Sequence, residues 1–206
     1  MIARSPFKRF VANESGGAAE FALLLPLIML FLIGIIDAGR YAWGFNRGEK
    51  ASQVGARVAV VTAPLVEELA TYSYSGVTVG GVLLGQGDRI PAAALGTITC
   101  TSTTCTCTVG PCLNGTLTHD ATAFSTVATR IKLIWPDVDN ADIQIEYTGS
   151  GLGYAGNPLG MDIAPFVTVK LLNRSLTSYF LFGGTVDFPD FAYTLTMEDG
   201  AGSQSN

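Results

Sequence analysis

Charge is scarce in this chain. Asp, Glu, Lys and Arg make up 14% of its 206 residues, against roughly a quarter in an ordinary globular domain. The hydrophobic share is 48% and the mean hydropathy is +0.36, a composition that points away from disorder. A basic excess is also missing: 12 basic side chains face 17 acidic ones, for a net charge of −5 and a pI of about 4.7. No overall field draws in a polyanion, so nucleic acid is not expected as a partner. Histidine is all but absent. The single one, His119, stands beside Asp120 ahead of an amphipathic stretch. That is the place of a surface or capping-region residue, and no Ser-His-Asp arrangement can be assigned around it. Ser15–Gly16–Gly17 and Gly151–Leu152–Gly153 lack the lysine and the strand–loop–helix setting of a phosphate loop. Asp137, Asp139 and Asp142 lack the spacing and terminal glutamate of an EF-hand and read as a solvated turn. No catalytic residue, metal, cofactor or small-molecule substrate is therefore expected. The 24 glycines are scattered, which excludes collagen and implies many turns or close backbone approaches.

What is present in quantity is one apolar run. Ala18–Ile36 reads AAEFALLLPLIMLFLIGII, with Glu20 its only charge. As a helix it is about 28 Å long, close to the ~30 Å hydrocarbon thickness of a bilayer. A soluble protein would have to surround all its faces, more than a chain with room for one domain and an appendage supplies. Residues 1–60 carry seven basic and four acidic side chains; residues 61–206 carry five and thirteen. With Arg4, Lys8 and Arg9 ahead of the run, the positive-inside tendency keeps the N-terminus cytoplasmic and exports the remainder. A cleaved secretory signal would be shorter and end in a small-x-small site, whereas DAGRYAWGFNRGEK continues the helix here. Tyr41, Phe45, Gly48, Ser52, Gly55 and Ala59 advance by threes and fours, which predicts a helix over 17–61, about 65 Å long, ended by Pro64. Gly39, Gly44, Gly48 and Gly55 each lower helix propensity by about 1 kcal/mol relative to alanine, yet small residues let another element approach closely. Pro26 removes one intrahelical hydrogen bond.

Glu20 is costly inside an apolar segment unless it lies at the interface, is protonated or has a partner. In a bundle of such helices it could meet an amine of another copy. The stretch ESGGAAEFALLLPLIMLFLIGIIDAGRYAWGFNRGEKASQVGARVAVV, residues 14–61, resembles the N-terminal region of TadE-like pseudopilins, minor pilin-like proteins of the Flp/Tad type IV pilus assembly system. The points of likeness are a glycine followed by Glu20–Phe21, then Pro26–Leu27, Gly34, Asp37–Arg40 and Gly55–Arg57. The resemblance implies that a prepilin peptidase removes a basic leader, residues 1–16, after Gly16. Gly17 would then be the new N-terminus, and Glu20 with Phe21 the pair that directs helix assembly. Three residues, Gly17, Ala18 and Ala19, separate Gly16 from Glu20, where the family usually has four. The usual count would put Ser15 before the scissile bond. Implied partners are the membrane, the peptidase, the Tad inner-membrane assembly platform and other pilin-like subunits, with the C-terminal part in the periplasm.

Residues 62–206 read as an exported α+β domain, a helix packed on a mostly antiparallel sheet. GVTVGGVLL, residues 76–84, suggests one glycine-interrupted strand, and 85–99 suggest turns and loop. From Thr116 to Trp135 a helix is expected, with Phe124, Val127, Ile131 and Ile134 on one side, Thr and Arg130 on the other, and Pro136 as its stop. Strands are expected at Ile143–Tyr147, Phe166–Leu172 and Phe191–Met197, a loop or broad hairpin connection at 149–160, and a short helix or membrane-proximal loop in 173–190. CTSTTCTCTVGPC, residues 100–112, holds all four cysteines: Cys100, Cys105, Cys107 and Cys112. The spacing is not that of a paired C-x-x-C zinc site, and an exported location favours two disulfides among three possible pairings. Closing about 12 residues would contribute about 3 kcal/mol to a Thr-rich excursion with little apolar material. The function expected is that of a minor pilin-like structural protein that primes, caps or modifies a Tad-type pilus. The alternative is a single-pass, membrane-anchored binding or adhesion module that never enters a filament.

Overall fold

A computed structural model describes residues 15–113, 115–158 and 160–197. The first helix, α1, is Ser15–Ala59 and runs unbroken through Pro26, and a short second helix, α2, is Glu67–Thr71. The chain divides into two compact units: residues up to Trp43 with Leu176–Val186, and Gly44–Ser175 with Asp187 onward.

The second unit is α+β, as expected. Its five-stranded antiparallel sheet has the order β4 (Cys105–Val109), β3 (Thr97–Cys100), β5 (Ile143–Thr148), β6 (Phe166–Leu171), β9 (Phe191–Thr196). Strict alternation decides which face is covered: Ile143, Ile145 and Tyr147 on β5 and Val167, Val169 and Leu171 on β6 are all fully buried. Each such aliphatic side chain contributes about 2 kcal/mol by leaving water. Helix α3, Ala121–Ile134, covers that face with Phe124, Val127, Ala128 and Ile131. It starts later than Thr116 because the Asp120 carboxylate accepts the N–H groups of Thr122 and Ala123 and fixes the first turn there. At its other end Arg47 Nε donates to the Ile134 carbonyl at 2.8 Å, a cation on the negative end of the helix.

Residues 44–59 of α1 belong to this same core through a stripe of small residues: Gly48, Ala51, Ser52, Gly55, Ala56 and Ala59 are buried. A Cβ on Gly55 would meet Ile131 of α3 and Val169 of β6 at 2.8 and 3.1 Å, and one on Gly48 would overlap the Phe191 ring. The glycines that weaken the helix on its own are what let it lie against the sheet.

Several expectations need correction. Residues 76–84 are not one strand but two, β1 (Thr78–Val79) and β2 (Val82–Leu83), because Gly80 and Gly81 both take positive φ, 58° and 84°, and reverse the chain. The span 85–99 is not all loop, since β3 begins at Thr97 and puts Ile98 into the core. The span 173–190 holds no helix: it is a two-stranded sheet, β7 (Ser175–Thr177) and β8 (Thr185–Asp187), joined by a turn. The cysteine-rich segment is no excursion. It forms the edge of the main sheet, where threonines serve as β-branched strand residues, and Thr99 and Thr108 hydroxyls meet at 3.0 Å.

Candidate functional site

The four cysteines pair as neighbours, Cys100 with Cys105 and Cys107 with Cys112, each five residues apart. The first joins the facing ends of β3 and β4, where Cys100 and Cys105 are register partners. Both loops are shorter than the 12-residue closure considered above, so each contributes about 2 kcal/mol in the loop-entropy account. His119 lies half-buried, with Nε2 3.1 Å from the Thr101 carbonyl oxygen and its ring tilted against Phe124. Asp142 is bound into an ion pair with Arg174 at 3.3 Å. Among the described residues no group of three or more His, Cys, Asp or Glu is placed to hold a metal.

The first unit is of another kind. From Glu20 to Ile36 nearly every side chain is exposed: Leu23 is 80% exposed, Phe31 67% and Phe21 61%. Glu20 is exposed beside Phe21, and among the described residues no hydrogen bond or ion pair engages its side chain. Gly17, also exposed, has open space where a side chain would be. Ser15, Gly16 and Gly17 form the first turn of α1. Arg4, Lys8 and Arg9 lie outside the described residues.

Where the apolar run ends, the structure assembles a polar cluster that the sequence analysis did not assign. Asp37 is buried on α1. Its Oδ2 accepts the Ser178 hydroxyl and the Phe180 backbone N–H, each at 2.7 Å. Its Oδ1 takes Nη1 of Arg40, one turn along, at 2.9 Å. The same Arg40 nitrogen donates to the Thr177 carbonyl, and the guanidinium sits 4.3 Å over the Tyr179 ring. The acid is thus neutralised by one cation and saturated by two further donors, which is what burial of a carboxylate requires. The signal was present as an acid–Arg pair spaced i, i+3 at the edge of an apolar run. Its partners are 141 and 143 residues away, beyond the reach of any local pattern.

Fold and helix together define an α+β protein with, among the described residues, one helix long and apolar enough to cross a membrane. Residues 16–57 match the family model described as TadE-like protein. The match covers nearly all of α1 and none of the sheet, and it agrees with the resemblance drawn from the residues. No curated protein and no solved structure matches the chain.

Proposed function

We propose that this chain is a membrane-anchored, pilin-like subunit of a Tad-type pilus system that assembles through its N-terminal helix. The observation that carries the reading is the coincidence of the TadE-like match, residues 16–57, with a helix whose large apolar side chains are exposed. In water that surface would be unstable; in a bilayer, or among like helices, it is an assembly surface. Residues 18–36 span the inner membrane, the basic N-terminus stays in the cytoplasm, and the disulfide-bearing sheet domain lies in the oxidising periplasm.

A prepilin peptidase cleaves after Gly16, or after Ser15, and frees an amine about one helical turn from Glu20. A carboxylate at that depth gains most from a counter-charge within a few ångströms. The amine of a neighbouring mature subunit supplies one and sets the axial register as helices leave the bilayer. The sheet domain then offers its surface at the start, tip or side of the filament.

The test is Glu20→Gln, which keeps shape and hydrogen bonding but removes the charge. Membrane insertion and the fold stay unchanged, while crosslinks between subunits and the number of pili fall. Unchanged assembly would overturn the role given to Glu20. An intact mass that begins at Met1 in native membranes would overturn the processing step and favour a permanent anchored binding module.

A further inference from the structure

Residues 175–186, SLTSYFLFGGTV, contain no charged side chain and are flanked by Arg174 and Asp187. Tyr179, Phe180, Leu181 and Phe182 are 61%, 41%, 50% and 91% exposed. We propose that this aromatic tip is a second membrane anchor, dipping into the outer leaflet beside α1. The inference rests on the reading that residues 18–36 cross a bilayer.

The first ground is depth. The Phe180 ring lies 3.5 Å from where a Cβ on Gly34 would stand, in a groove it shares with Leu30, Phe31 and Ile35. Gly34 is three residues, about 4.5 Å of helix, on the lipid side of Asp37. If the apolar run is in hydrocarbon at Gly34, Phe180 is there too, and its exposed neighbours Leu181 and Phe182 belong to the same turn. Tyr179 over Arg40, with exposed Trp43 on the same unit, supplies the amphipathic groups that favour the headgroup level.

The second ground is the backbone. Six of the seven amides from Ser178 to Gly184 donate within the unit. Ser178 donates to the Gly184 carbonyl, Phe182 to Tyr179, Gly183 to Ser178 and Gly184 to Leu181. Phe180 donates to Asp37 and Leu181 to the Ser178 hydroxyl. A turn in water has no need of such saturation, whereas irregular backbone near hydrocarbon does.

The third ground is strain. Phe182 holds a φ of 50°, a left-handed conformation that glycine or asparagine adopts more readily and that is rare for a bulky side chain. The ring is almost wholly exposed, so packing within the chain does not offset the cost. Lipid contact would.

Three separate cysteine variants of the full chain, each with its native disulfides intact, are labelled with a nitroxide and inserted into phosphatidylethanolamine–phosphatidylglycerol vesicles. They are Phe182→Cys at the tip, Met29→Cys in the apolar run and Val82→Cys on the exposed β1–β2 hairpin. Collision with oxygen and with a water-soluble nickel chelate is then measured. The expected result is high oxygen and several-fold lower nickel accessibility at 182 and 29, with the reverse at 82. If 29 reads as lipid while 182 matches 82, the tip is in water and the anchor fails while the span stands. If 182 is shielded from both reagents, protein such as a second copy covers it, and lipid is the wrong occupant. If 29 itself is open to nickel, the span fails and the anchor with it. Leu181→Cys repeats the reading should the first variant insert poorly.

Discussion

The two stretches of α1 obey opposite rules. Between residues 20 and 43 its apolar side chains are mostly large and exposed, with Leu23, Phe31 and Trp43 between 67% and 80% open. Between 44 and 59 the side chains that meet the sheet are small and hidden, with Ala51, Ala56 and Ala59 fully buried in the sheet unit. Hydrophobicity alone does not separate these roles; side-chain size does. A large apolar residue on a helix seeks a deformable apolar medium, while a glycine or alanine seeks a rigid neighbour that can come close.

The sharpest way to break that contrast is to put a large residue into the small-residue stripe. Gly48→Leu would drive a side chain into Phe191, which is 1% exposed and hemmed in by Phe45, Trp135 and Phe188 at ring-centroid distances of 5.5 to 6.0 Å. With no room for the ring to swing, overpacking costs about 3 kcal/mol or more. Urea unfolding in detergent, followed by near-ultraviolet circular dichroism, should show a large fall in midpoint. An unchanged midpoint would mean that this stretch of α1 is not held against the sheet.

A smaller effect sharpens the view of the second unit as a core that excludes water. The Tyr147 hydroxyl, fully buried, accepts the Leu65 backbone N–H at 3.0 Å. Tyr147→Phe leaves that N–H unpaired and costs about 2 kcal/mol. Burial, chiefly, raises the phenol pKa of Tyr147 above its ordinary value. The unfolded phenol loses its proton at about pH 10 while the folded one keeps it. Stability is therefore whole below about pH 10 and declines as pH rises through the folded pKa. Tyr147→Phe should remove that part of the alkaline decline. An equally steep decline in the variant would assign it to other groups.

How legible each region was follows from the same contrast. The apolar run and the strands at 143, 166 and 191 announce themselves, because a bilayer-length run and in–out alternation are local patterns. β3 and β4 were hidden by threonine, which reads as polar although its branched Cβ suits a strand edge. The loop at 149–160 gave no hint of its organiser. Asp162, buried, accepts the N–H groups of Tyr74, Gly156 and Asn157, each at 2.7 Å. Asp37 was visible as an acid beside Arg40, but its meeting with Ser178 and Phe180 is a product of tertiary structure. Glu20 and Phe21 stood out by chemistry, and the fold adds that both are exposed.

The smallest effect tests the exposed stretch by the change least harmful to a helix. Gly39 has nothing within 4 Å of where its Cβ would stand, and its φ is not positive. Gly39→Ala should therefore be accepted by the isolated subunit and raise its stability in detergent by about 0.5–1 kcal/mol, the usual helical preference for alanine over glycine. The measurement to set beside it is assembly. If the open side of Gly39 faces only headgroups or water, crosslinking between subunits is unaltered. If a neighbouring helix packs there, an added methyl group separates the backbones, and crosslinking falls while the subunit itself is no less stable. A subunit that loses stability on this change would show that the exposed stretch is covered within its own chain, and the contrast between the two stretches of α1 would fail at this position.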